Sequence, residues 1–356
     1  MRLTVPSKRA TTRWANSQQH RPLLAACLLT ALLSACTGTT EDAVVLRLAV
    51  LSGVGDGAVL SAVDVGSPAS LVTPVPKALD LESLSGGTAL AVLYPDKLET
   101  RDATFGKPET RANPADPGFK PCYVNLEASA LRDRLAALSD CGGGALQQVA
   151  VWRSDGSLAF SATLPGPTPT SPEQTHIAVL GDTLWAVHPA VGGGSELIRV
   201  IRSSDGSAGV STPTLTPTIN DLTFYRGTGY AATDSGLRTL SEAGVLTAVP
   251  DTSKPPGGAL TRLYADDRLL GAWAGGSYSA LNIWNGAKTS SPTSFSDLRD
   301  LVFAPDGTLY TLSGNVLSQY DSAFGLADSG WRGKDLSSFT DPRAVTWLVP
   351  PMATPK

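Results

Sequence analysis

The chain has 356 residues, with 28 basic and 32 acidic side chains and a formal net charge of −4. The first 35 residues contain five of the basic residues and none of the acidic ones, so the remainder carries 23 basic against 32 acidic residues, or −9. This negative charge argues against nucleic acid or an anionic membrane surface as a partner. The 35 glycines and 26 prolines predict many turns and little helix.

The N-terminal segment has the three-part layout of a secretory signal. Basic residues up to Arg21 precede an apolar run from Pro22 to Leu33, and the run ends in Leu33-Ser34-Ala35-Cys36. This ending resembles the lipobox of bacterial lipoproteins, a family in which the cysteine is acylated and becomes the mature N-terminus. The resemblance implies that Cys36 carries lipid and anchors the protein in the cell envelope. Thr37 rather than Asp follows the cysteine. The resemblance therefore favours anchoring in the outer membrane, on its periplasmic side or at the cell surface, over anchoring in the inner membrane.

Two alternatives to lipidation stay open for this segment. One is an ordinary secretory signal with an incidental cysteine, and the other is a single membrane-spanning anchor. A spanning helix needs roughly 20 apolar residues, whereas only about a dozen lie between Arg21 and Cys36.

The remaining cysteines predict a disulfide bond. Cys27 lies in the signal, so Cys122 and Cys141 are the two cysteines left beside the lipidated one. An oxidising envelope compartment favours their pairing. Two buried thiols or a metal-binding pair are the alternatives, and the presence of only two histidines after the signal speaks against zinc.

A repeated pattern of two hairpins follows along the chain. Each copy has an apolar strand, a tight turn, a second strand and then another hairpin. The clearest copy is 300–311, in which Asp306-Gly307 is a hairpin signal. Other copies begin at His176, Asp221 and Leu260, and a weaker one surrounds Leu84.

Equivalent positions in the first strand of each copy recur at intervals of 39 to 53 residues. Four strands in roughly 40–45 residues is the signature of a β-propeller. A β-sandwich is the alternative, but it does not predict a sustained period. The seven positions are Leu84, Leu126, Val179, Phe224, Leu263, Phe303 and Val345.

The two ends of the repeat region predict how the ring closes. One strand-like run, 343–349, stands alone near the C-terminus, and three such runs lie between Val44 and Val75. Together they make one complete four-stranded blade, which removes the exposed edges. We therefore predict an all-β propeller of seven blades. Six or eight stay open because 101–122 is irregular.

The predicted organisation has four parts. A lipoprotein signal peptide covers 1–35, a lipidated tether 36–42, the β-propeller 43–351 and a C-terminal tail 352–356.

The hairpin Phe303-Ala-Pro-Asp-Gly-Thr-Leu-Tyr resembles the repeats of bacterial extracytoplasmic propellers of the NHL and gluconolactonase-like kind. The resemblance implies a propeller over nearly all of the mature chain. It also implies one enzyme alternative, a metal-dependent hydrolase, because the gluconolactonase-like family gathers Glu, Asn and Asp ligands at the channel mouth. This chain offers Asn220, Asp221, Asp300 and Asp341 there, and the sequence shows no matching glutamate.

Other chemistry-bearing patterns favour structural roles. The Asp-Gly pairs at Asp155, Asp205 and Asp306 lack the alternating carboxylates of a calcium loop and predict simple turns. No nucleophile elbow or phosphate loop is present, so no catalytic residue, metal or cofactor is predicted. The strand tryptophans predict packing between blades. They are Trp152, Trp185, Trp284 and Trp347.

One set of residues predicts a ligand site. In propellers the first strand of each blade lines the central channel, so the starts of these strands should form a ring of charges at one mouth. A channel mouth that is polar only because it is wet is the alternative. The predicted site residues are His176, Asp221, Arg262, Asp300 and Arg343.

We expect a lipid-anchored propeller of the cell envelope that acts as a binding or scaffold module for a protein partner or a small ligand.

Overall fold

The structure is a computed structural model, and it describes residues 46–65, 71–166, 169–276 and 279–350. Cys36 and the predicted signal peptide, tether and C-terminal tail lie outside the described residues, so the four predicted boundaries stay predictions. Within the described ranges, no helix is long and apolar enough to cross a membrane.

Strands make up most of the described chain. One α-helix, α1 (Ser322–Asp328), and four 3₁₀ turns lie between strands in the described part. The 3₁₀ turns are Gly55–Gly57, Ser85–Gly87, Pro172–Gln174 and Asp251–Ser253. The strands are β1 Arg47–Ser52, β2 Val59–Asp64, β3 Leu71–Pro74, β4 Asp80–Leu84, β5 Ala89–Leu93, β6 Leu98–Asp102, β7 Glu109–Thr110, β8 Tyr123–Ala128, β9 Arg134–Ser139, β10 Gln148–Arg153, β11 Leu158–Thr163, β12 His176–Leu180, β13 Thr183–Pro189, β14 Ser195–Arg202, β15 Ala208–Val210, β16 Thr214–Thr216, β17 Asp221–Tyr225, β18 Thr228–Thr233, β19 Gly236–Leu240, β20 Leu246–Ala248, β21 Arg262–Ala265, β22 Leu270–Trp273, β23 Ser279–Trp284, β24 Thr289–Ser290, β25 Ser294–Phe295, β26 Leu298–Phe303, β27 Thr308–Ser313, β28 Val316–Asp321, β29 Gly333–Ser338 and β30 Pro342–Leu348.

These strands form seven antiparallel sheets, which are the blades of a propeller. In order outward from the centre, blade 1 is β4-β5-β6-β7, blade 2 is β8-β9-β10-β11 and blade 3 is β12-β13-β14-β15. Blade 4 is β17-β18-β19-β20, blade 5 is β21-β22-β23-β24 and blade 6 is β26-β27-β28-β29. Blade 7 is β30-β1-β2-β3. The predicted all-β, seven-bladed fold is confirmed.

The first strands of neighbouring blades contact one another around a complete ring. Each of the seven positions that define the sequence repeat lies in one of these first strands. Blade 7 also has the predicted mixed origin, because the C-terminal β30 pairs with the N-terminal β1 and places Val345 opposite Val50. The ring is therefore closed by hydrogen bonds between the two ends of the propeller.

The outermost strand is shorter than its neighbour in five blades, 1, 3, 4, 5 and 7, and in blades 3 and 5 it is broken in two. In blade 3, β15 and β16 pair with different halves of β14, and Pro213 lies between them. In blade 5, β24 and β25 divide β23 in the same way around Pro292. A proline has no backbone N–H to donate, so it interrupts an edge strand at these points.

The apolar core lies between the blades. Seven clusters of buried residues are present among the described residues, one at each interface between adjacent blades. The predicted tryptophans belong to these clusters. Trp185 of blade 3 packs on Phe224 of blade 4 with ring centroids 4.8 Å apart. Trp347 of blade 7 lies over Gly87 of blade 1, where a Cβ atom would come within 2.2 Å of the indole ring.

The predicted disulfide bond is present between Cys122 and Cys141, whose Cα atoms are 5.0 Å apart. Cys122 directly precedes β8, and Cys141 follows the end of β9 by two residues. The bond therefore ties together the open end of the β8–β9 hairpin, which forms the inner half of blade 2.

Candidate ligand-binding site

A cavity of about 440 Å³ lies in the central channel, at the end where the first strands begin. All five predicted site residues line it, so the structure brings them together. It also adds lining residues that the sequence did not predict. The polar lining includes Asp80, Glu82, Asn125, Glu127, Arg132, Glu173, His176, Asp221, Arg262, Tyr264, Arg299, Asp300 and Arg343.

Three aspartates occupy equivalent places at the start of a first strand: Asp80, Asp221 and Asp300. The Oδ1 atom of each accepts the N–H of the following leucine at 2.8 Å. The Oδ2 atom accepts an N–H from the first strand of the next blade. These donors are Leu126 at 3.2 Å, Leu263 at 2.7 Å and Val345 at 2.8 Å. The aspartates therefore link adjacent blades as well as lining the cavity, a second role that the sequence did not predict.

Burial among other carboxyl groups weakens the acidity of these aspartates. Burial and the repulsion of Glu82 raise the pKa of Asp80 to about 7, against the opposing effect of its amide hydrogen bonds. Burial raises the pKa of Asp300 to about 8, and the carboxyls of Glu82 and Asp80 add to the shift. The pKa of Asp221 is also raised by burial, although His176 opposes the shift. The His176 Nδ1 atom lies 3.4 Å from Asp221 Oδ1.

Two glutamates that sequence reasoning missed also line the cavity. Glu82 on β4 forms an ion pair with Arg132. Glu127 on β8 makes no ion pair or side-chain hydrogen bond within the described residues, and its pKa is raised well above the usual range by burial and then by repulsion from four carboxyls. Those carboxyls belong to Asp221, Glu82, Asp80 and Asp300. The signal for Glu127 was present in the sequence, because it directly follows Leu126, a position of the repeat.

The arginines of the cavity have partners within the protein. Arg343 donates to the carbonyl of Leu79 in the next blade at 2.9 Å. Arg262 donates to the carbonyl of Arg299 at 3.1 Å, and its guanidinium lies over the ring of Trp273, 5.9 Å from the centroid. These contacts hold the positive charges against the wall of the cavity.

Two uncharged polar groups of the wall lack such partners. The side chain of Asn125 makes no hydrogen bond within the described residues. The hydroxyl oxygen of Tyr264 is buried and makes no hydrogen bond of ordinary geometry in the same residues, although it interacts with the guanidinium of Arg262. Burial raises the pKa of Tyr264, so the hydroxyl stays protonated.

The oxygen donors expected for a metal-dependent hydrolase do not converge. Asn220 donates to Asp234 and to the carbonyl of Leu260, at 2.9 and 2.8 Å, and does not line the cavity. Asp341 likewise lies outside the lining, and its Oδ1 atom is 3.8 Å from Arg299. Across the described residues, no three His, Cys, Asp or Glu side chains are grouped as a metal ion requires. The residues present do not fit a resident metal ion.

The Asp-Gly pairs form the simple turns that the sequence predicted. In each, the aspartate Oδ1 atom accepts the N–H of the residue two positions on, which is Ser157, Ser207 or Thr308. These aspartates are exposed and remote from the cavity lining.

No family model and no curated protein matches this chain. Solved structures do match over most of its length. They include the periplasmic gluconolactonase PpgL of Pseudomonas aeruginosa, with 17% identity, a TM-score of 0.55, and coverage of 86% of this chain and 100% of that chain. A candidate 6-phosphogluconolactonase of Bacteroides uniformis has 15% identity, a TM-score of 0.57 and the same coverage. AztD of Citrobacter koseri has 10% identity and a TM-score of 0.52, over 85% of this chain and 98% of that chain.

These likenesses show a shared fold. The chain has the fold of gluconolactonase-like seven-bladed propellers, as the hairpin resemblance implied. At such low identity they do not transfer an activity.

Proposed function

We propose that this protein is a lipid-anchored propeller of the bacterial cell envelope that binds a small polar ligand in its central cavity. The observation that carries the proposal is the cavity itself. Its volume of about 440 Å³ lies within the range of small-molecule sites, and charged or polar side chains from all seven blades line it.

The framework around the cavity supports a binding role. The aspartate bridges between blades and the arginine contacts with backbone carbonyls fix the wall before any ligand arrives. A site that is already ordered loses little conformational entropy on binding. The polar groups of Asn125 and Glu127 remain for contact with a ligand.

The membrane anchor is tested separately from the cavity. The variant Cys36→Ser should leave the detergent-soluble membrane fraction or remain unprocessed, because acylation needs the thiol. Normal cleavage with unchanged membrane partitioning would remove lipidation from the proposal.

The ligand is tested by thermal unfolding of the purified full-length protein against a panel of polyols, sugar acids, amines, amino acids and divalent cations. A ligand that binds only the folded state raises Tm in proportion to the logarithm of its concentration. We expect at least one class to do so, and Asn125→Leu should abolish the shift. The matched control is Asn282→Leu, a position on β23 away from the cavity.

Two results would contradict the proposal. One is a panel in which no class raises Tm. The other is an envelope protein that crosslinks equally to the wild type and to the Asn125→Leu variant, while no small ligand binds in the cavity. That result would favour a scaffold role.

A further inference from the structure

The cavity holds an excess of carboxyl groups over free positive charge. Arg132 forms an ion pair with Glu82. Arg299 donates to Asp297 at 2.8 Å, so its charge is neutralised at the rim. Five other carboxyls line the cavity, the exposed one of Glu173 and those of Asp80, Glu127, Asp221 and Asp300. Among the described lining residues, Arg262 and Arg343 are the arginines that form no ion pair.

Within the described residues, the side chains of Glu127 and Asn125 make no hydrogen bond or ion pair, and they offer a carboxylate and an amide oxygen to the cavity. The buried phenolic oxygen of Tyr264 interacts with the guanidinium of Arg262. Asn125 and Glu127 are two residues apart on β8, so their side chains leave the strand on the same face. The wall therefore combines unused acceptors with more carboxyl groups than unpaired arginines.

We propose that the cavity binds the ammonium group of a small organic cation, with Glu127 as its main anchor and Asn125 as a further acceptor. The inference rests on the proposed function, since it names the class of ligand for the same site. An ammonium group supplies three N–H donors and one positive charge, which are what this wall lacks. An anion would oppose the ionisation of these carboxyls, whereas a cation favours it, and the carboxyls are not grouped for a metal ion within the described residues.

Binding exchanges the proton of the Glu127 carboxyl for the positive charge of the ammonium group. In the empty cavity burial and four neighbouring carboxyls favour the protonated form of Glu127, because they raise its pKa well above the usual range. An ammonium ion that enters stabilises the carboxylate, and the proton of Glu127 passes to solvent while the ligand keeps its own protons. Net charge in the cavity is conserved.

The affinity for the ammonium group should therefore rise with pH, up to the pH at which Glu127 is ionised in the empty cavity. Several other groups face it and shape this dependence. The acidic ones are Asp80, Glu82, Asp221 and Asp300, and the basic ones are Arg132, His176, Arg262 and Arg343. Asp80 and Asp300 have pKa values of about 7 and about 8, so they share in the proton release.

The test is isothermal titration of the full-length protein with three probes of equal chain length: 1,4-diaminobutane, 1,4-butanediol and succinate. We expect the diamine to bind at least about tenfold more tightly than the diol, with no binding of succinate. Titration in phosphate and in HEPES, whose ionisation enthalpies differ, should reveal proton release. Glu127→Gln should weaken diamine binding at least about tenfold and reduce the release. The exposed Glu242→Gln should change neither.

Each other outcome overturns a defined part. If the diol binds as tightly as the diamine, the site takes neutral polyols, and the ammonium inference is refuted. Preferred binding of succinate would also refute the ammonium inference. In both cases the proposed function still holds. Unchanged diamine binding by a folded Glu127→Gln variant refutes the anchor. If none of the probes and no class of the wider panel binds, the proposed function fails as well. Asn125→Leu provides an independent variant should Glu127→Gln fold poorly.

Discussion

Asp300 of blade 6 accepts, through Oδ2, a hydrogen bond of 2.8 Å from the backbone N–H of Val345 in blade 7. Val345 lies on β30, the C-terminal strand that closes the ring. The same bridge recurs from Asp80 to Leu126 and from Asp221 to Leu263. One side-chain type thus joins three of the seven blade interfaces at the wall of the cavity, so stability and binding share the same residues.

The first prediction concerns this bridge. Asp300→Ala removes the acceptor for two backbone amides, those of Leu301 and Val345. It should lower the free energy of unfolding by about 2 kcal/mol, the cost of leaving buried donors unsatisfied. Urea unfolding measures the change. The matched control is Asp306→Ala in an exposed turn, which should cost less than half as much. Equal costs at the two positions would refute the bridging role.

The second prediction is a dependence of stability on pH. Asp80 and Asp300 have folded-state pKa values of about 7 and about 8, above the value of about 4 for an unfolded aspartate. Between these limits the folded protein binds more protons than the unfolded chain, so its stability should fall as pH rises from about 5 to about 8. Tm measured across that range gives the slope.

A matched pair of double variants checks the source of that slope. Asp80→Asn with Asp300→Asn should flatten it, whereas Asp155→Asn with Asp205→Asn, both at exposed turns, should leave it unchanged. A Tm that rises with pH through this window would show that the buried carboxyls do not control stability.

The third prediction concerns the packing that closes the ring. Gly87 has a φ of 88°, and a Cβ atom there would lie 2.2 Å from the ring of Trp347. Gly87→Ala should therefore destabilise the protein by about 3 kcal/mol or more, through steric overlap in addition to backbone strain. The neighbouring Gly86 has a φ of 63° and nothing within 4 Å of such a Cβ atom. Gly86→Ala should cost only about 1 kcal/mol. The two variants are compared by urea unfolding, and similar losses would mean that the contact with Trp347 is dispensable.

The fourth prediction concerns the disulfide bond. Cys122 and Cys141 are 19 residues apart. Replacing both with Ser should lower the free energy of unfolding by about 3 kcal/mol, because the cross-link restricts the unfolded chain. The unreduced wild-type protein should weigh two hydrogens less than its reduced form. Labelling of both thiols without reductant would show that the bond does not form.

The architecture was largely accessible from the sequence because its signals are local. Turn pairs such as Asp306-Gly307 and apolar strands alternate at a sustained interval. The first strands could therefore be aligned, and the pairing of the two ends that closes the ring could be predicted. Those alignments also placed His176, Arg262 and Arg343 at one mouth. The breaks in the edge strands beside β14 and β23 were not predicted, because a proline such as Pro213 or Pro292 does not by itself show that the short runs on its two sides pair with the same strand.

The carboxyl cluster was less accessible for a physical reason. Glu127 directly follows Leu126, but the irregular 101–122 segment hid where blade 2 begins, and the direction of a side chain depends on strand register. The aspartate bridges depend on how far apart adjacent blades lie, which no single strand specifies. The dipeptide Asp-Leu opens two first strands, at Asp80 and Asp221, and recurs at Asp300, the third residue of β26; it was the available signal.

A crystal structure of the full-length protein with 1,4-diaminobutane tests the central claim most directly. One ammonium nitrogen should lie in the central cavity, within about 3 Å of a Glu127 carboxylate oxygen and of the amide oxygen of Asn125. A diamine bound only at the outer edges of the blades, or an empty cavity at a concentration that saturates binding in solution, would contradict the account.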